Sequence, residues 1–411
     1  MNQYIGFLGL VVMISLAWLM SSNKRRFPWR VVLCGLLLQF SFALVILRTS
    51  VGKGIFRIFD GIFVSLLNCV DAGSQFMFGA GYEEHFFAFK VLPTIVFFSA
   101  FMSIFYYYGI MQKVVGLMAV LMQKTLGTSG AETLSSAANI FVGQTEAPLV
   151  IRPYISSMTM SELNAVMVGG FATMAGGVLG ALVSMGFDAA HLLSASVISA
   201  PGALILAKVM QPEVDQPKTL GHVRLDVEDK SVNVLEAIAV GTTSGLQLAL
   251  NVGAMLIVFL ALIAVVNALI GWVSIQFGYV AEGGEPIWSI EALLGMLFAP
   301  FAWVIGIQWP DCQEAGQLMG LKMGTNEFVA YGRLQEWSAA DSVVQISDRS
   351  RIILTYALCG FANFSSIGIQ LGGIGGISPE RRGDLAKLGL RAMLGGTLAS
   401  FMTASMASIM L

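Results

Sequence analysis

The sequence predicts an all-α polytopic membrane protein with eight transmembrane helices, short interfacial helices, two re-entrant hairpins and an inverted repeat. Three observations carry that expectation. Of 411 residues, 56% are hydrophobic and only 12% charged, against about 25% charged in soluble domains. Apolar runs near the length of a bilayer crossing recur along the chain. Two acidic stretches, GQTEAPL (143–149) and TNEFVAY (325–331), lie in apolar surroundings, each followed by a glycine-interrupted apolar segment. Buried acids beside interrupted helices, in two matching halves, point to a coupled transporter. A net charge of −2 gives no basis for binding nucleic acid. The four cysteines, Cys34, Cys69, Cys312 and Cys359, lack disulfide or metal spacing, and His85, His191 and His222 show no ligand pattern.

A first span over 4–20 has no basic residue before it and Lys24, Arg25, Arg26 and Arg30 after it. That is the reverse of a cleavable signal peptide, so the N-terminus is expected outside and the basic loop inside. A second span covers 31–47. Residues 54–68 mix charges with aromatics and suit a helix lying in the interface. These pieces form a scaffold unit, 1–90.

The next unit, 91–245, opens with a span over 91–110 and a short interfacial piece over 111–123. Residues 131–157 are too polar in the middle to cross. Ile140, Phe141 and Val142 on one side and 147–151 on the other bracket the polar tip, as in a re-entrant hairpin. Such backbone survives at membrane depth only when buried in protein or lining a cavity. Spans over 163–186 and 189–209 follow. The third unit, 246–411, repeats the order: a span over 246–272, an interfacial piece over 289–305, a hairpin over 312–345, then spans over 352–376 and 386–410. Three crossings per unit is an odd number, so the second copy is expected to enter the membrane inverted. Phe171-Ala172-Thr173 is echoed by Phe361-Ala362-Asn363.

Glycines are expected to break one span in each copy. They are Gly176, Gly177 and Gly180 in the first, and Gly368, Gly372, Gly373, Gly375 and Gly376 in the second, after Asn363, Ser365 and Ser366. Their competing role is close helix packing. Eight crossings return the C-terminus to the outside. Inside connections then carry Lys113, Lys124 and Arg152, then Lys218, Arg224 and Lys230, then Arg381, Arg382 and Lys387. The outside segment 279–288 carries only Glu282 and Glu285. Arg48, Lys53, Arg57, Arg333, Arg349 and Arg351 run against this bias.

A carboxylate at low dielectric finds partners or takes up a proton. Glu146, with Gln144 and Thr145 beside it, and Glu327, with Asn363 and Ser366 in its repeat, make a site rich in neutral donors and acceptors and poor in bases. It suits a neutral polyhydroxylated or heteroaromatic solute better than an anion. Phe361 offers a ring for stacking, although packing is the commoner fate of a phenylalanine. A hard cation such as Na+ wants oxygens. The side chains of Asn139 and Thr173, with carbonyls near Val142 and Met174, offer them where the first hairpin tip meets the broken helix. The alternative is that Asn139 and Thr173 cap helix ends.

GQTEAPL, NEFVAY and FANFSSIGI, in this order, resemble the concentrative nucleoside transporters, and the segment ISPERRGDLAKLGLRAMLGGTLASFMTASMA is similar to that family's last helices. The likeness covers roughly 90–411. It implies a homotrimer in a lipid bilayer, here a bacterial inner membrane, that imports a uridine-like nucleoside with a cation; in such a membrane the outside termini expected from the charge placement are periplasmic. It implies nucleobase contacts at Gln144, Thr145 and Glu146, with Val178 nearby and Phe361 approaching the base. Ribose contacts fall at Glu327, Asn363 and Ser366. The implied Na+ set is Asn139, Val142, Thr173 and Met174. Some bacterial relatives use protons and carry GQSEN where this chain has GQTEA, which favours Na+ over H+ here. Thr173 stands where a serine is usual. An intramembrane enzyme would need catalytic carboxylates close together and a lateral opening, and nothing in the sequence resembles a nucleotide-sugar or metal motif. The duplicated broken helices argue against a passive channel.

Overall fold

Backbone amides and carbonyls in a hydrocarbon layer find no water, so a chain this apolar satisfies them within helices. The computed structural model describes residues 4–220, 231–280, 286–338, 342 and 344–411, and among the described residues every regular element is helical. Arg224, Lys230 and His222, the acidic pair Glu282 and Glu285, and positions 339–341 and 343 of the expected second hairpin lie outside the described residues.

Helices α1 (Ile5–Leu19) and α2 (Trp29–Arg48) come first. α3 (Ser50–Phe78) is capped by Thr49, whose hydroxyl accepts from the Gly52 amide at 3.0 Å. It extends the interfacial helix expected over 54–68 at both ends. Ile55, Ile58 and Ile62 make an exposed stripe along it, as a face against lipid requires. α4 (Leu92–Tyr107) and α5 (Ile110–Leu126) follow.

The first hairpin is α6 (Gly130–Ala138), a turn, then α7 (Ala147–Val150) and α8 (Arg152–Ile155). Pro148 and Pro153 each sit in the first turn of a short helix, where a missing amide hydrogen costs nothing. They divide the returning arm in two. α9 (Met160–Ala172) and α10 (Gly176–Ser184) are the halves of one interrupted helix, and α11 (Ala189–Met210) is continuous.

The remaining chain runs α12 (Val234–Gln276), α13 (Ile290–Val304), the helix pair α14 (Cys312–Gly324) and α15 (Glu327–Trp337), the interrupted pair α16 (Asp348–Leu358) and α17 (Phe364–Ile377), then α18 (Arg382–Met410). Its element order matches that of α4 to α11.

Among the described residues, six helical runs are long and apolar enough to cross a bilayer: Trp29–Arg48, Phe87–Tyr107, Met160–Ser184, Ala189–Met210, Val234–Gln276 and Pro379–Met410. Two expected crossings are absent from that set. The span over 4–20 is realised as the 15-residue α1, shorter than the ~20 residues a crossing takes. The span over 352–376 is divided between α16 and α17. α12 starts well ahead of the expected residue 246. Its 43 residues extend about 65 Å, twice the ~30 Å hydrocarbon core.

The breaks do not fall within the two glycine clusters expected to make them. α9 stops at Thr173, which is extended (φ −127°, ψ 170°), and α10 restarts with Gly176 as its first residue. α16 stops at Cys359, and α17 restarts after Asn363, whose Oδ1 accepts from the Ser366 amide at 2.9 Å. A capping side chain, not glycine, starts the second half. The five glycines of α17 lie inside continuous helix. The echoed tripeptide accordingly sits on opposite sides of the two gaps: Thr173 ends a half-helix and Asn363 begins one.

Several glycines serve close approach instead. A Cβ at Gly177 would lie 3.0 Å from Ser99 Oγ of α4, and one at Gly373 would lie 3.0 Å from Thr145. α18 carries glycines 395 and 396 against Val168 and Phe171 of α9. α9, α11 and α18 thus form the buried centre. α12 lies at the periphery, its Gly241 and Gly245 packed on Ser103 and Ser99 of α4.

Candidate functional site

The second gap packs against the end of α9, where the first gap begins. Gly360, at φ +115°, approaches so closely that a Cβ there would lie 2.8 Å from the Phe171 carbonyl oxygen and 2.9 Å from the Ala172 backbone. Each half-helix leaves carbonyls without an intrahelical partner at its end, and α11 and α18 supply donors in parallel fashion. Ser199 Oγ donates to the Ala172 carbonyl at 2.8 Å, and Ser400 Oγ donates to the Cys359 carbonyl at 2.7 Å. The second gap has an additional donor. Lys322, buried on α14, donates from Nζ to the Ala357 carbonyl (3.1 Å), the Cys359 carbonyl (3.3 Å) and Ser400 Oγ (3.2 Å). A cation at a helix C-terminus is favoured by the helix dipole.

Around this contact the two acidic motifs meet in one continuous network. Asn363 Nδ2 donates to Glu327 Oε2 at 3.2 Å. Asn363 Oδ1 accepts from Ser365 Oγ and from the Ser366 amide. Ser366 Oγ accepts from Gln144 Nε2 at 3.1 Å. Gln144 Oε1 accepts from Gln370 Nε2 at 3.0 Å, and the same nitrogen donates to the Met167 carbonyl at 3.1 Å. Glu327, Asn363, Ser366, Gln144 and Gln370 are all buried. Both hairpin tips, the second gap and α9 are therefore tied by direct hydrogen bonds.

The other expected solute residues are placed differently. Glu146 turns back on its own tip, accepting from the Gly143 amide at 3.0 Å. It borders a cavity of about 230 Å³ that Ser99, Ser103 and Tyr106 of α4 and Ser244 of α12 also line. Thr145 faces Gly373 of α17. Val178 is fully buried in α10, and Phe361 is buried within the second gap. Neither belongs to the hydrogen-bonded chain.

The expected ion residues gather where the first tip meets the first gap. The Gly176 amide donates to the Phe141 carbonyl at 3.1 Å, joining tip to gap. Thr173 Oγ1 donates to the Gly169 carbonyl at 2.9 Å. Asn139 lies against the same turn, its Nδ2 3.4 Å from where a Gly169 Cβ would be. Val142 and Met174 are buried beside them. Asn139 is buried, and neither Oδ1 nor Nδ2 has a hydrogen-bond partner among the described residues. Its side chain therefore caps no helix end. A buried amide without partners is costly, and a hard cation is the kind of group its oxygen suits. Among the described residues no cluster of His, Cys, Asp or Glu forms a transition-metal site.

Two residues, one in the network and one beside it, lie outside the sequence-based expectation. Gln370 follows Asn363 and Ser366 at helical spacing, so all three share one face of α17. That spacing was the available signal. Lys322 is a lone base in an apolar hairpin arm, which is itself a mark of function in a membrane protein. The base of the first hairpin is held separately. Lys208 pairs with Glu132 at 2.6 Å and Glu213 at 3.1 Å, and Ser129 Oγ donates to Glu162 at 2.5 Å.

Family profiles match three consecutive stretches. Residues 8–81 match the Na+ dependent nucleoside transporter N-terminus, 88–187 a nucleoside recognition gate, and 191–408 the Na+ dependent nucleoside transporter C-terminus. An uncharacterized transporter of Haemophilus influenzae is 43% identical over 415 residues, covering 100% of this chain and 98% of that protein. Solute carrier family 28 member 3 of Eptatretus stoutii is 44% identical over 420 residues. All of this chain is covered, but it spans only 61% of that longer relative. The structure of CNTnw in an inward-facing substrate-bound state superposes with a TM-score of 0.91 at 40% identity, covering 100% of this chain and 98% of that one.

Proposed function

The chain belongs to the Na+-dependent nucleoside transporter family, and from that premise we propose that it carries nucleosides across a bacterial inner membrane by Na+ symport. The observation that carries the reading is the buried chain Glu327–Asn363–Ser366–Gln144, which joins the two hairpin tips. A ribose presents hydroxyl donors. Glu327 accepts them with charge-assisted bonds, while Asn363 and Ser366 supply neutral partners. Gln144 and Thr145 then border the base, with Phe361 at the ring face and Val178 behind the first tip. Glu146, on the adjoining cavity wall, completes the base contacts once the tip shifts.

Na+ binds at Asn139 and Thr173, with the carbonyls of Val142 and Met174. Binding there draws the first tip against the first gap and sets the position of Gln144, a few residues away. The solute is neutral, so the transported charge is that of the ion. One charge across 100 mV is worth about 2.3 kcal/mol, and a tenfold Na+ gradient adds about 1.4 kcal/mol. Together these sustain a nucleoside ratio of several hundred.

The finer architecture follows the same reading. The chain has eight crossings, with 352–376 crossing as two half-helices, and two re-entrant hairpins in inverted repeats. Both termini are periplasmic. A homotrimer is built on the peripheral α4 and α12, with the hairpins and interrupted helices as the moving part. Uptake of radiolabelled uridine into proteoliposomes tests the function. Accumulation above equilibrium that requires an inward Na+ gradient is the expected result. Accumulation driven only by a proton gradient would replace Na+ as the coupling ion, and equilibration without accumulation would make the protein a channel.

A further inference from the structure

Gln370 is fully buried on α17, one turn beyond Ser366. Its amide nitrogen faces two oxygens, the Met167 carbonyl at 3.1 Å and Gln144 Oε1 at 3.0 Å. The chemistry fixes this orientation. A backbone carbonyl only accepts, so the Gln370 end beside Met167 must be the NH2 end. That end only donates, so Gln144 must bring its own oxygen to it. The Gln144 NH2 is thereby turned the other way, toward Ser366 Oγ at 3.1 Å. The close fit needs Gly170. A Cβ there would lie 2.8 Å from Gln370 Nε2 and 2.9 Å from Gln144 Cβ.

Resting on the nucleoside reading above, we propose that Gln370 is a specificity-positioning residue: it locks the polarity of the Gln144 amide, so that the group offered to the nucleobase is a donor. When the sugar engages Ser366, Gln144 Nε2 is released to the base edge while Gln370 still holds its oxygen. An amide free to turn over would donate or accept with equal ease and would not distinguish a base acceptor from a base donor. The locked amide favours bases that present an acceptor at that point.

The test uses purified protein and three competitors of uridine binding: unlabelled uridine, cytidine and isocytidine. Relative to uridine, cytidine reverses donor and acceptor at positions 3 and 4 of the ring, and isocytidine reverses them at positions 2 and 3. The wild type is expected to separate uridine from at least one of the other two by about five- to tenfold, the size of one neutral hydrogen bond. Gln370→Met, close in volume and unable to donate, should compress that separation to about twofold or less while uridine still binds. Gln370→Glu is the second variant. Its acid has at most one hydrogen for two acceptors, so Gln144 turns its NH2 toward it, and the separation should shrink or reverse. A wild type that treats the three alike, or either folded variant with the full wild-type separation, overturns the inference. Gln144→Ala keeps this distinct from the premise. If it leaves all three affinities unchanged, the nucleobase reading itself fails. If it removes the separation while Gln370→Met preserves it, only the role of Gln370 fails.

Discussion

Gly360→Ala is the sharpest test of the contact between the second gap and the end of α9. At φ +115° an alanine is already strained, by about 1–2 kcal/mol for leaving the right-handed region. Its Cβ would in addition press on the Phe171 carbonyl oxygen at 2.8 Å and on the Ala172 carbonyl group at 2.9 Å. These are backbone atoms, and Ser199 holds the Ala172 carbonyl from behind. No flexible side-chain end can yield. Overpacking of this kind costs about 1–3 kcal/mol, so the sum is about 2–5 kcal/mol. Unfolding entropy near 2 cal/mol/K per residue over this chain translates that into an apparent melting temperature lower by about 2–6 °C. The assay is thermal denaturation of the purified protein at one fixed scan rate, because such unfolding is commonly irreversible. Gly368→Ala is the control. It lies within the same region, in continuous helix, with nothing within 4 Å of its added Cβ, and should be neutral or stabilising by about 0.5–1 kcal/mol. If Gly360→Ala melts with the wild type and carries uridine normally, the contact does not constrain the fold and the reasoning is wrong.

Three further outcomes are expected. Lys322→Met leaves the Ala357 carbonyl without its ammonium donor while Ser400 still serves Cys359, and should cost about 1–3 kcal/mol in the same melting assay, with a lower yield of folded protein. Thr173→Val keeps the shape and removes the hydroxyl. The Na+ concentration for half-maximal uptake should rise about tenfold, one lost oxygen ligand being worth about 1.4 kcal/mol, while uptake at saturating Na+ recovers. Glu327→Gln replaces an acceptor with an NH2 group near Asn363 Nδ2. Uridine affinity should fall by about tenfold or more as charge-assisted bonds of 1.5–3 kcal/mol are lost. Isothermal titration reads the fall, and an unchanged affinity would remove Glu327 from the site.

Helical periodicity and apolar length made most of the fold legible, and the polar hairpins stood out because Gln144, Glu146 and Glu327 interrupt apolar sequence. The positions of the gaps did not. Glycine density pointed to 176–180 and 368–376, yet the gaps open ahead of both clusters. In α17 a glycine's freedom matters less than the Asn363 cap, and residues 372–376 remain helical because the surrounding packing tolerates them. Within the second gap Gly360 takes a conformation that other residues rarely adopt, at φ +115°, and a single glycine carries no such label in sequence. Gln144 and Glu146 were grouped by adjacency. The turn between them sends one to Ser366 and the other to the cavity beside α4, and only tertiary structure could separate them. Lys322 was legible as a charge but its partners were not, since two are backbone carbonyls more than thirty residues away.

One turn of α9 explains how ion and solute sites can be coupled. The Met167 carbonyl holds Gln370, and through it Gln144. The Gly169 carbonyl holds the Thr173 hydroxyl, and Asn139 lies against Gly169 itself. Gly170 admits both Gln370 and Gln144. The proposed ion residues and the Gln144 amide therefore bear on adjacent residues of one helical turn. The first hairpin brings Asn139 against Gly169 and Gln144 against Gly170. An ion that draws Asn139 and Thr173 together would act on the same turn of α9 that Gln144 packs against. Linkage then demands reciprocity: whatever factor Na+ adds to nucleoside affinity, the nucleoside must add to Na+ affinity. In the proposed symport, ion and solute contacts from one hairpin tip thus converge on the same buried turn of α9.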